Sequence, residues 1–297
     1  MKWEDFRQSD NVEDRRGDGP MMAGGGGSSG HLGLGAMIVL GLIGYALGID
    51  PRLLIGGAEM VSHMGGGSQQ QQAAPQGQKG APKDQIGRFV ASILAENEDV
   101  WSDILPAQTG VKFKPAPIVL FNGATRSGCG VAQSAMGPFY CPLDGKIYLD
   151  TSFFRDMKTK LGGGGDFAYA YVISHEMGHH IQDLLGILPK AQAAQQNASS
   201  QATANAISVR IELQADCLAG VWAANANQKW QVIEPGDVEK AIATAQAIGD
   251  DRLQKSARGY AVPDSFTHGT SAQRVQWLER GLQSGKVADC NTFKQAN

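Results

Sequence analysis

The stretch FAYAYVISHEMGHHIQDLL, from Phe167 to Leu185, decides how this chain folds. It contains no proline, and Tyr169, Ala170, Val172 and Ile173 make its first turns apolar, which predicts a long buried helix behind an N-cap at Asp166, the end of the run GGGGD. His175 and His179 are four residues apart, just over one helical turn, so both imidazoles leave one face. Glu176 is turned by about 100° but stays beside them. An H-E-x-x-H pattern on a helix offers two nitrogen ligands to a zinc ion and a carboxylate placed as a general base. A pair of solvated surface histidines is the bland alternative, and the apolar turns ahead of them argue against it.

A catalytic zinc, one per chain, needs a third protein ligand and an open position. Glu212 and Asp216, in the helical segment RIELQADC, share a face at a spacing of four among Ile211, Leu213, Ala215 and Leu218. Glu212 is therefore expected to complete the metal set, and Asp216 to accept the distal N–H of one imidazole. Cys217 points about 100° away from Asp216, which argues against it as a ligand. His180 is also about 100° off the ligand face and is assigned to packing or to supporting a ligand. Hydrolysis at such a centre needs a second donor for the developing oxyanion. His268 in FTHGTS, with Tyr260 behind it, is the candidate, the competing role for His268 being a cap on the helix that starts at Ser271.

Working outward, Gln85 to Leu105 repeats apolar residues at helical spacing and is expected to close at Pro106. PIVLF (Pro117 to Phe121) and KIYLD (Lys146 to Asp150) read as strands. Further helices are expected near 204–224, 236–248 and 271–284. Several long helices with few strands predict a helix-dominated α+β domain with a small sheet over residues 85–297. Cys129, Cys141, Cys217 and Cys290 lack metal spacing, and an even count fits two disulfides in an oxidising compartment. Three pairings are open; Cys129 with Cys141 would tie off a Gly-rich loop and leave Cys217 for Cys290.

Residues 1–84 look different. LGLGAMIVLGLIGYALGI, residues 32–49, carries no charge over 18 residues, near the minimum for a transmembrane helix. The expected organisation is a disordered cytoplasmic tail (1–30), a single transmembrane anchor (31–50) contacting the lipid bilayer through 32–49, and a flexible low-complexity linker (51–84). Lys2, Arg7, Arg15 and Arg16 before the span, against Arg52 and Lys79 after it, place the N-terminus in the cytoplasm and the domain outside the cytoplasmic membrane. A net charge of −3 offers no basic stripe, so nucleic acid is not expected as a partner.

The chain resembles the putative neutral zinc metallopeptidase family of bacterial membrane-anchored proteins, through SDNVEDRRG, MGPFYCPLDGKIYLD, FAYAYVISHEMGHHIQ, ELQADCLAGVWA and SFTHGTSAQRV. The resemblance implies a zincin-like, gluzincin-like domain in which His175, His179 and Glu212 match the ligands and Glu176 the catalytic residue. The expected activity is hydrolysis of peptide or protein substrates by an endopeptidase. The competing expectation is a silent membrane-tethered binding or quality-control module with a structural zinc, against which stand the intact Glu176 and a ligand set of three rather than four.

Overall fold

The computed structural model describes residues 1–18, 77–160 and 164–294. Its main sheet has five strands in the order β2-β1-β3-β7-β6, where β1 is Val12–Asp14, β2 Gln78–Lys79, β3 Ile118–Phe121, β6 Phe139–Cys141 and β7 Lys146–Asp150. The central strands β1, β3 and β7 are parallel, in register Val12 to Ile118 and Ile118 to Ile147, and the two edge strands run antiparallel. β4 (Ala124–Ser127) and β5 (Gly130–Gln133) form a separate hairpin. β3 is buried along its whole length and β7 nearly so, as parallel strands covered on both faces require.

Helices supply the rest: α1 (Gln85–Thr109), α2 (Ser152–Lys160), α3 (Asp166–Leu184), α4 (Ile187–Gln196), α5 (Gln201–Trp230), α6 (Asp237–Ala247), α7 (Asp250–Arg258) and α8 (Ser271–Ser284). This is the helix-dominated α+β class expected. α1 runs on past Pro106 to a left-handed cap at Gly110, because a proline in the last turn costs one rung of hydrogen bonding without turning the chain away. α3 is buried almost throughout from Phe167 to Gln182, and its N-cap is Gly165 rather than Asp166. Thr270, not His268, caps α8, in a reciprocal capping box with Gln273.

Two helix contacts depend on glycine. A methyl at Gly178, between the two histidines, would lie 3.0 Å from the Ala215 carbonyl of α5. A methyl at Gly281 of α8 would collide with the Cys217 carbonyl, so α8 approaches α5 backbone to backbone. Both glycines bring α5 against its neighbours at the turn that carries Asp216 and Cys217.

The expected tail at 1–30 and the domain start at 85 are corrected for the described residues. Met1, Trp3 and Val12 join the core, and β1 is the second strand of the sheet. The charges that make this segment read as solvated find partners on the folded domain: Arg15 with Glu13 in a buried pair, Lys146 with Glu13 and Arg16 with Asp14 in partly buried ones, and Arg16 with Asp84 and Arg7 with Asp99 at the surface. Residues 1–18 are therefore part of the same folded body as residues 77–294. The expected linker is likewise corrected at 77–84, where β2 pairs with β1. The anchor at 31–50, with the remainder of the tail and linker, lies outside the described residues. Among the described residues no helix is long and apolar enough to cross a membrane.

Trp3 gives a direct test. Its ring is 7% exposed, meets Phe89 edge-on at 5.3 Å and donates to Asp166 at 3.0 Å. Trp3→Ala should lower stability by about 3–5 kcal/mol in urea unfolding, as buried Trp truncations do; a loose tail would leave stability unchanged.

Candidate metal centre

The site forms where α3 crosses α5. Tyr171, His175, His179 and Gln182 follow one stripe of α3, and Glu212 and Asp216 one stripe of α5. His175 Nε2 lies 3.2 Å from Glu212 Oε2 and His179 Nε2 lies 3.5 Å from Glu212 Oε1. Donor atoms of the three residues all fall within 4.8 Å of one another, with both histidines buried. Burial opposes charge on Glu212, but His179 and His175 outweigh it and hold the carboxyl well below its usual range. The donor set fits zinc: two imidazole nitrogens and one carboxylate converge on one point and leave a coordination position open.

Beneath His175, Asp216 does what was expected of it and more. Its Oδ1 accepts from His175 Nδ1 at 2.9 Å and from the Tyr171 hydroxyl at 2.6 Å. With Nδ1 so engaged, Nε2 is the atom that faces Glu212. Arg274, reaching in from α8, donates to Asp216 from Nε at 2.8 Å and from its terminal nitrogen at 2.9 Å. Burial alone would raise the Asp216 pKa, yet Arg274 and His175 bring it down to about 2. Burial also disfavours a charged His175, but Asp216 and Glu212 prevail and raise its pKa to about 10. Sequence reasoning gave roles to neither Tyr171 nor Arg274. The one available signal was that an Asp216 buried among apolar neighbours needs a cation.

Glu176 is buried beside this cluster, 6% exposed. His180 is structural: it bonds the Lys114 carbonyl at 2.6 Å and the Tyr140 hydroxyl at 3.1 Å, tying β6 to α3. Cys217 is bonded to Cys290, and Cys129 to Cys141, which excludes Cys217 as a ligand and realises the two-disulfide expectation.

His268 is brought near but not into the cluster. Its loop packs on α5 through Gly269, where a methyl would meet Leu213 and Val209 at 3.2 Å, the turn that carries Glu212. Asp250 holds the loop: its Oδ2 accepts from the backbone N–H of Thr267, His268 and Gly269 at 2.7, 2.6 and 3.1 Å, and its Oδ1 lies 3.2 Å from His268 Nδ1. Burial opposes charge on His268, but Asp250 and the field of Glu212 raise its pKa overall. Tyr260, expected behind it, is 60% exposed.

No solved structure matches the chain significantly. YpfJ, an uncharacterized protein of Escherichia coli (strain K12), is 50% identical over 297 residues, covering 99% of both chains. An uncharacterized protein of Mycobacterium tuberculosis (strain H37Rv) is 43% identical over 208 residues, 67% of each chain. The family described as "Putative neutral zinc metallopeptidase" matches residues 1–293, from the β1 segment through the metal cluster to the end of the described fold, and this chain belongs to it.

Proposed function

We propose that this protein is a zinc-dependent peptidase, with one zinc per chain, that hydrolyses peptide bonds of peptide or protein substrates outside the cytoplasm. The observation that carries the reading is the convergence of two buried imidazoles, each with Nδ1 hydrogen-bonded, on one carboxylate, with Glu176 on the same helix. His175, His179 and Glu212 would hold the ion, which when bound supplies a Lewis acid and a water acidified towards neutral pH. Glu176 takes the proton from the attacking water and returns it to the leaving amine. His268, with Nδ1 directed at Asp250, presents Nε2 as donor to the developing oxyanion. The two disulfides support an oxidising compartment. Attachment to the bilayer through residues 32–49 belongs to the proposal, with residues 1–18 and 77–294 together on the outer side.

Metal analysis and hydrolysis of an unfolded protein substrate by the full chain test it. About one zinc per chain is expected, with activity removed by chelation and restored by zinc. A chain that takes up no zinc would overturn the reading, and one that holds zinc without hydrolysing any unfolded substrate would favour a binding module.

A further inference from the structure

His175 is fixed by a charged partner, whereas His179 is fixed by amides. Its Nδ1 lies 2.9 Å from Gln182 Oε1. Gln182 Nε2 donates to the Ile211 carbonyl at 2.8 Å and to Gln214 Oε1 at 3.0 Å, and Gln214 Nε2 donates to the Cys290 carbonyl at 2.8 Å. A backbone carbonyl only accepts, so each amide can face in one direction only. Gln214 must turn its nitrogen to Cys290 and its oxygen to Gln182. Gln182 must turn its nitrogen to Ile211 and Gln214, and its oxygen to His179. An oxygen facing Nδ1 requires the hydrogen on Nδ1, and a neutral imidazole then has its lone pair on Nε2, the atom beside Glu212. The other tautomer would set two lone pairs against each other at 2.9 Å on the Nδ1 side, whereas on the Nε2 side the Glu212 oxygen stands off at 3.5 Å. His179, Gln182 and Gln214 are 4%, 0% and 6% exposed, so bulk water is kept from relieving that clash.

The far end of this chain of bonds is covalently held. Cys290, in the 3-10 turn Val287–Cys290, is bonded to Cys217, one residue after the Asp216 that orients His175. Resting on the metal reading above, we propose that Gln182 and Gln214 are positioning residues. They form an amide relay that imposes the Nδ1–H tautomer on His179, and the Cys217–Cys290 disulfide anchors its origin, tying metal affinity to the disulfide.

The test uses the full chain and two readouts. Long-range nitrogen–proton NMR on the metal-free protein, at a pH where the ring is neutral, reports the His179 tautomer. Competition with a chelator reports zinc affinity. The wild type should show Nδ1–H; Gln182→Leu should lose it and bind zinc about 10–100-fold more weakly, the range for loss of a partner behind a metal ligand. Gln214→Leu and the paired change Cys217→Ala with Cys290→Ala should weaken binding in the same direction by less. Gln182→Glu retains an acceptor for Nδ1 but no donor toward Gln214, so it should keep the tautomer and become insensitive to Gln214→Leu. An unchanged tautomer with affinity within twofold in Gln182→Leu overturns the relay, as does loss of the tautomer in Gln182→Glu should the leucine variant fail to fold. Absence of zinc binding by the wild type strikes the metal reading instead, since the tautomer measurement needs no metal.

Discussion

Glu176→Gln is expected to leave about one zinc on the protein and to lower kcat for peptide hydrolysis by roughly 10²–10⁴-fold, the span that a positioned general base contributes. The amide has the size and hydrogen-bonding reach of the carboxylate but cannot take a proton, so the loss would be chemical rather than structural. Glu176 is not one of the three converging donors, so His175, His179 and Glu212 should keep their geometry in this variant. Metal analysis, unfolding in urea and single-turnover hydrolysis together separate the outcomes. Activity within tenfold of the wild type, with zinc bound, would remove Glu176 from the mechanism.

Arg274→Leu should cost about 3–5 kcal/mol of stability, because it strands the fully buried Asp216 carboxylate with only Tyr171 and His175. For a domain of this size that corresponds to a fall of roughly 6–20 °C in Tm. The sign of its pH dependence follows from the pKa of Asp216, which folding lowers from 3.8 to about 2. A lowered pKa stabilises the fold above the unfolded value and is lost as pH falls through the folded one. The deficit of Arg274→Leu should accordingly be full above pH 4 and shrink as the pH approaches 2. Urea titrations of both proteins across that range check it, and a deficit below about 1 kcal/mol at pH 7 would mean that His175 alone suffices as the counter-charge of Asp216.

What the sequence revealed of the site is what a single helix encodes. His175, Glu176 and His179 are related by helix geometry alone, and so are Glu212 and Asp216, so their faces could be assigned without tertiary knowledge. The α8 boundaries at Ser271 and Ser284 were legible from apolar spacing for the same reason. Arg274, Gln182 and Gln214 were not, because their partners lie on other helices and nothing local distinguishes them from exposed polar residues. Asp216 to Arg274 spans 58 residues and Gln214 to Cys290 spans 76. The N-terminal strand escaped for a different reason. Three residues, VED, carry no alternating pattern, and the dense charge around them resembles solvated chain until Lys146, Asp84 and Asp99 arrive from elsewhere to neutralise it.

That strand also orders events in time. Val12 pairs with Ile118, so the first strand made has no parallel partner, and only the two-residue β2 beside it, until more than a hundred further residues have been synthesised. At ordinary rates of chain synthesis this is a wait of roughly 5–20 s, against microseconds for a hairpin to close. Through that interval Trp3 and Val12 have no core to enter, and one of the sheet's three parallel strands is present as chain without its parallel neighbour. The domain is thus compelled to mature late, after its two ends have reached the same compartment. An N-terminal segment that left early by another route could not be recovered by the fold.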